Sequence, residues 1–226
     1  MRTIAEGTVA EVFKAFDPSQ WTPDPFDRDP YEFLAFSAIQ REAFKVVELE
    51  PQRRTLKFQM AYQAEDRGKK RLNVPLPYLQ FFFFRGYLGV AASGEPYKPG
   101  DDFYASPFPN TYATGKVCLG EAANRVVMTL EKALTLFFWS GFDNPCEWDL
   151  SIDFAASMGQ PCNTYPEADA FLNLWSGLSV DDMLKCPWDN VLGESYPTYK
   201  INPARDKNTL GNLGAFLAHV CHRGEI

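Results

Sequence analysis

Apolar and polar residues alternate along Leu56-Lys57-Phe58-Gln59-Met60-Ala61-Tyr62-Gln63. A period of two predicts a strand with one face buried. Glu65-Asp66-Arg67-Gly68 reads as a turn, and Leu72 and Val74 resume the alternation on a return strand. Phe81 to Phe84, then Arg85-Gly86, then Tyr87 to Val90, predict a further strand pair or a bulged strand. The phenylalanine run is read as core and sheet surface, because large apolar residues are usually buried. Residues 31–92 as a whole read as antiparallel β.

Outside that region the period changes. Val9, Val12, Phe13 and Phe16 have helical spacing and predict a short helix within residues 1–16. Asp17-Pro18 to Asp29-Pro30 reads as an irregular connector. Val126, Val127, Leu130, Ala133, Leu134, Phe137 and Phe138 share one face of a helix predicted over 121–140, with Gly141 as its stop. Pro166 to Trp175 predicts a helix opened by proline, and Ser179-Val180-Asp181-Asp182 predicts a cap for another. Leu210, Leu213, Phe216, Leu217 and Val220 mark a last helix. The expected organisation is one α+β domain: an N-terminal segment and connector over 1–30, a core over 31–141, and a helical extension over 142–226 packed on that core.

Composition narrows the function. The 226 residues are 46% apolar and 15% aromatic, enough for a sizeable core. A formal charge of −7 disfavours free nucleic acid, which needs a basic surface to neutralise phosphates. The densest basic run, Arg67 to Arg71, reads as a solvated turn. No run approaches the roughly 20 apolar residues of a bilayer span, so no membrane partner is expected. The first residues hold no apolar signal core, which predicts a cytoplasmic protein. Five cysteines, at 118, 146, 162, 186 and 221, are odd in number and irregular in spacing, and are read as free thiols. The His219-Val220-Cys221-His222 cluster has no matching pair elsewhere, and phosphate-binding glycine loops are absent. Neither a metal nor a cofactor is expected.

The candidate chemistry lies in residues 93–120, rich in turn formers (Gly94, Pro96, Pro99, Gly100, Pro107, Pro109, Asn110, Gly115) and interspersed with aromatic residues. A long loop of this kind in a compact domain is usually functional, and its aromatics predict that it packs. Cys118 supplies a nucleophile. Asn110, eight residues earlier, supplies a side-chain amide able to stabilise an oxyanion. Pro107 and Pro109 restrict the backbone around Asn110. A cysteine two or three residues before the 121–140 helix would feel the positive end of its dipole. Taken singly, Asn110 is also a good turn former and Cys118 a common buried thiol; their pairing around Gly115 favours catalysis. Asp143, Asp101 and Asp102 are candidates for the acceptor side, with Tyr112 as loop support. Two alternatives stand beside this reading: a non-catalytic binding module, and a cysteine hydrolase in which His219 or His222 folds back to Cys118.

The segment Pro107-Phe108-Pro109-Asn110, Tyr112, Gly115 and Val117-Cys118-Leu119-Gly120, preceded by Leu76-Pro77 and an aromatic strand, resembles the active-site region of bacterial ubiquitin-conjugating-enzyme-like proteins. It is most similar to prokaryotic conjugating-enzyme family D, which includes protein B of the PRTRC cassette, and the resemblance covers about 31–140. It implies a ubiquitin-conjugating-like fold, with an antiparallel β meander, an active-site loop and a central helix. It also implies a carrier reaction. A ThiF-like adenylating enzyme activates a ubiquitin-like protein, Cys118 accepts it as a thioester, and an amine of a target, often a lysine, receives it. By position Cys118 is then the acceptor and Asn110 the oxyanion donor. Related operons often carry a JAB-type metallopeptidase, and some are implicated in antiphage defence. Two departures stand out. Phe108 occupies the place of the histidine in the eukaryotic His-Pro-Asn turn, so a hydrogen bond of that turn is expected to be missing. The Trp-Ser-Pro that follows the eukaryotic cysteine is absent.

Overall fold

A computed structural model describes residues 1–8, 43–59, 69–98, 101, 104, 106–111, 115–119, 127–139, 142, 154–156, 158–186 and 188. Strands β1 (Arg2–Thr8), β2 (Ala43–Leu49), β5 (Tyr78–Phe84) and β6 (Tyr87–Ser93) form a four-stranded antiparallel sheet in the order β1-β2-β5-β6. Strands β3 (Gln52–Gln59) and β4 (Lys69–Leu76) form a separate two-stranded antiparallel sheet. Helices α1 (Leu130–Trp139), α2 (Tyr165–Gly177) and α3 (Val180–Leu184) follow, and residues 154–156 are helical as well. The protein is α+β, as expected. The simple meander needs correction: the chain leaves the main sheet after β2, builds β3 and β4 apart, and re-enters as β5.

The register explains the phenylalanine run. Phe44, Val46 and Glu48 of β2 pair with Phe84, Phe82 and Gln80 of β5, and Lys45, Val47 and Leu49 pair with Phe83, Phe81 and Leu79. Phe44, Val46, Phe82 and Phe84 are buried on one face; Val47, Leu79 and Phe81 are buried on the other. A strand covered on both sides reads as a continuous apolar run rather than an alternation. Arg85 and Gly86 turn β5 into β6 with φ of 47° and 85°. Positive φ at both central residues is the two-residue hairpin turn whose twist matches the flanking strands.

The N-terminal strand and the helix after the loop also depart from the expected pattern. Arg2–Thr8, ahead of the residues that carry the expected N-terminal helix, is a strand at the edge of the sheet. Its Arg2 guanidinium pairs with the buried Glu48 carboxylate at 2.7 Å, and Glu48 also accepts from Gln80 Nε2 and the Tyr97 amide. Long-range pairing overrides weak local preference here. Val9, Val12, Phe13 and Phe16 lie outside the described residues. Within the helix expected over 121–140, residues 127–129 are not helical and α1 begins at Leu130, while residues 121–126 lie outside the described residues. Thr129 Oγ1 accepts from the Lys132 amide at 3.3 Å, an N-cap that starts the helix there. Val127, assigned to the buried helical face, is 84% exposed and precedes the cap.

The later helices follow their signals. Glu167 of α2 accepts from the Thr164 and Asn163 amides ahead of the helix. At α3, Ser179 and Asp182 exchange side-chain and backbone bonds in a capping box. Trp175 of α2 is fully buried and donates through Nε1 to the Pro75 carbonyl of β4 at 2.9 Å. Lys70 of β4 pairs with Asp169 of α2. The core lies between the inner faces of both sheets and the helices, around Phe58, Phe81, Phe137, Phe142, Phe171 and Trp175. The last helix, expected over 210–220, lies outside the described residues.

Candidate active site

The loop that follows β6 is tied to it in two places. The Ala92 amide donates to the Tyr104 carbonyl at 3.0 Å. Further back along the strand, Val90 donates to the Gly115 carbonyl at 2.8 Å and Val117 donates to the Leu88 carbonyl at 2.7 Å. The free edge of β6 is therefore covered by its own loop, which satisfies backbone groups that would otherwise seek a partner. Gly115 has φ of 81°, a left-handed conformation that glycine adopts without strain.

A second layer lies on the first. Thr111 pairs with Val117 in an antiparallel bridge, and the Cys118 amide donates to the Asn110 carbonyl at 2.8 Å. The two residues singled out for chemistry, eight apart in sequence, are thus direct backbone neighbours. Asn110 is 6% exposed, whereas Cys118 is half-buried and open to solvent on one side. Val117 points into the core. In an extended segment its neighbours Lys116 and Cys118 project to the opposite side. The Lys116 ammonium sits 4.7 Å from the centre of the Tyr87 ring.

Phe108 anchors this arrangement. It is fully buried, with its ring centre 4.8 Å from Phe137, 5.3 Å from Phe142 and 6.0 Å from Trp175. Pro107 and Pro109 on either side are buried too. In place of a hydrogen-bonded histidine, the turn is held by an aromatic plug two residues before Asn110. Fully burying such a side chain contributes about 1.5–3 kcal/mol, and edge-to-face aromatic contacts add to it. The sequence places Phe108 among the aromatics of a loop that packs, but does not mark it as the anchor of the turn. Its flanking prolines were the available signal, but its partners come from positions 137, 142 and 175, which local pattern does not connect.

α1 starts at Leu130, well past Cys118, and the residues directly after Leu119, on which the dipole expectation rests, lie outside the described residues. Asp101 is exposed, and its Oδ2 accepts from the Lys98 amide at 2.7 Å while its own amide donates to the Lys98 carbonyl at 3.0 Å. That carboxylate closes a turn ahead of the Tyr104 contact. Asp102, Tyr112 and Asp143 lie outside the described residues, as do His219 and His222.

Two other described cysteines differ from Cys118. Cys162 is buried within the core cluster. Cys186 donates through Sγ to the Asp182 carbonyl at 3.5 Å, and burial pushes its thiol up, with the Asp182 charge adding to the shift. Among the described residues no group of three or more His, Cys, Asp or Glu side chains is placed to hold a metal ion. No helix among them is long and apolar enough to cross a membrane.

The family model for prokaryotic E2 family D matches residues 28–153, more than half of the chain. Searches of curated proteins and of solved structures gave no match. The matched span takes in β2 to β6, the loop with Asn110 and Cys118, and α1; strand β1 and helices α2 and α3 lie outside it. A ubiquitin-conjugating-like role follows at the level of the family, with ubiquitin-like proteins and activating enzymes as partners in general. The chain belongs to prokaryotic E2 family D.

Proposed function

We propose that this protein accepts a ubiquitin-like protein from a ThiF-type activating enzyme as a thioester on Cys118 and transfers it to an amine, a lysine, of a target. The observation that carries the reading is the Cys118–Asn110 backbone bond, which makes the half-buried Cys118 a direct backbone neighbour of Asn110 on a loop anchored in the core.

In the first step the Cys118 thiolate attacks the activating enzyme's thioester carbonyl. A C–S bond forms, the old one breaks, and the donor leaves as a thiolate. In the second, a lysine amine attacks, a C–N bond forms, Cys118 leaves, and the amine's proton passes to solvent. Both steps pass through a tetrahedral oxyanion, which the Asn110 amide stabilises. The acyl group arrives already activated, so the thiol does not need the strong activation of a protease cysteine. Asp143, Asp101 or Asp102, with Tyr112, serve to orient the incoming lysine. The setting is cytoplasmic, and a phage-defence role fits the family's operons.

The test mixes the protein with an activating enzyme of its operon, the matching ubiquitin-like protein and ATP, and reads intact mass with and without thiol. A reductant-sensitive adduct, lost in Cys118→Ala and converted to an ester in Cys118→Ser, is expected. With the adenylating enzyme verified as active, absence of an adduct on the wild type would favour a binding module. If a His219/His222 double substitution abolished activity, a hydrolase would replace the carrier.

A further inference from the structure

The ladder that holds Cys118 also positions an amine two residues before it. Lys116 pairs with Gly89 and Val117 donates to Leu88, so residues 116–118 run along β6 with Val117 turned into the core. Lys116 and Cys118 therefore share the outward side, two strand steps or about 6.6 Å apart. The flexible four-carbon stem of lysine spans that distance. The Lys116 ammonium is instead held over the Tyr87 ring at 4.7 Å.

We propose that Lys116 is a self-modification site: an acyl group carried on Cys118 passes to the Lys116 amine, and Tyr87 slows this loss by holding the ammonium over its ring. The inference rests on the thioester reading above. The neutral amine attacks the thioester carbonyl carbon, a C–N bond forms, the C–S bond breaks, Cys118 leaves as thiolate and the amine's proton goes to solvent. The product is an amide that thiols do not cleave. It frees Cys118 but leaves a bulky acyl group beside it, so each event takes one carrier molecule out of use. Tyr87 is a positioning residue here, because it acts through Lys116.

The full-length protein is loaded with the 2-mercaptoethanesulfonate thioester of acetylglycine and sampled over time by intact mass and peptide mapping. Wild type should show a thiol-sensitive adduct on Cys118 and a slower, thiol-resistant one on Lys116. Lys116→Arg should hold only the thiol-sensitive adduct. A cation held over an aromatic ring at an exposed site is worth about 0.5–1 kcal/mol, so Tyr87→Leu should speed the resistant product by roughly two- to five-fold. Tyr87→Phe keeps the ring and should match wild type. A thioester on Cys118 that never reaches Lys116, or equal labelling of Lys116 in Cys118→Ala, overturns the inference and leaves the carrier reading standing. Equal rates in Tyr87→Leu and wild type overturn the part assigned to Tyr87. Absence of any thiol-sensitive adduct on Cys118 removes both readings together.

Discussion

Cys118 and Cys186 are both half-buried thiols with polar neighbours, yet the fold uses them differently. Cys186 lies just past α3, turned back onto the Asp182 carbonyl, where burial and a nearby carboxylate oppose the thiolate. Cys118 ends an extended arm, with Asn110 paired to its backbone and Phe108 locking the turn from below. Exposure alone does not separate them. What separates them is the backbone around each: the Cys118 segment is bonded to β6 on one side and to Asn110 and Thr111 on the other, whereas Cys186 folds back onto the end of α3.

The comparison breaks most sharply by exchange. Cys118→Ala should abolish the reductant-sensitive adduct, and Cys186→Ala should leave it in full yield on intact mass. Phe108→Ala comes next. Emptying the aromatic cluster should cost about 3–5 kcal/mol, read as a lowered urea midpoint, and should loosen the turn that carries Asn110. Asn110→Ala should slow adduct formation by about 10²–10³, with the urea midpoint changing far less. Gly115→Ala should cost about 1–2 kcal/mol, because φ of 81° is unfavourable for any residue with a Cβ. Ser179→Ala removes the α3 cap and should cost about 1 kcal/mol, a loss confined to the Cys186 side.

The smallest effect is pH dependence at Cys186. Its thiol is raised in the folded protein, so it stays neutral there when the unfolded chain has begun to ionise. The stabilisation is present below the ordinary thiol range and is lost as pH rises through and above it. Alkylation of Cys186 at mildly alkaline pH should therefore lag in the folded protein relative to the urea-unfolded one. Equal rates would show that the Asp182 side does not restrain the thiol.

Local chemistry made part of this molecule legible. The alternation through Leu56 and Phe58 marks β3, Arg85-Gly86 marks the tight hairpin, and Ser179 with Asp182 marks the α3 cap, because each depends on neighbours in sequence. The proline, asparagine and glycine of the loop announced a built turn, and the structure joins Asn110 to Cys118 by backbone bonding. Long-range features did not show. Strand β1 exists because Arg2 reaches Glu48 and β2 offers an edge. The excursion through β3 and β4 depends on how two sheets pack. The break at residues 127–129 did not show because Val127 continues the apolar period up to Thr129, the residue that caps α1.

One contact has a practical bearing on where the working unit ends. The family segment stops at residue 153, but Trp175, beyond it, stands against Phe108 and Phe58 and hydrogen-bonds to Pro75. A fragment trimmed to the family borders would lose this wall. It would bare one side of the ring that holds the Asn110 turn and leave a carbonyl of β4 without its donor. For this chain the smallest autonomous piece is longer than its ancestry would suggest, and recombining the shared segment with another member's C-terminal half would require a residue to fill Trp175's place.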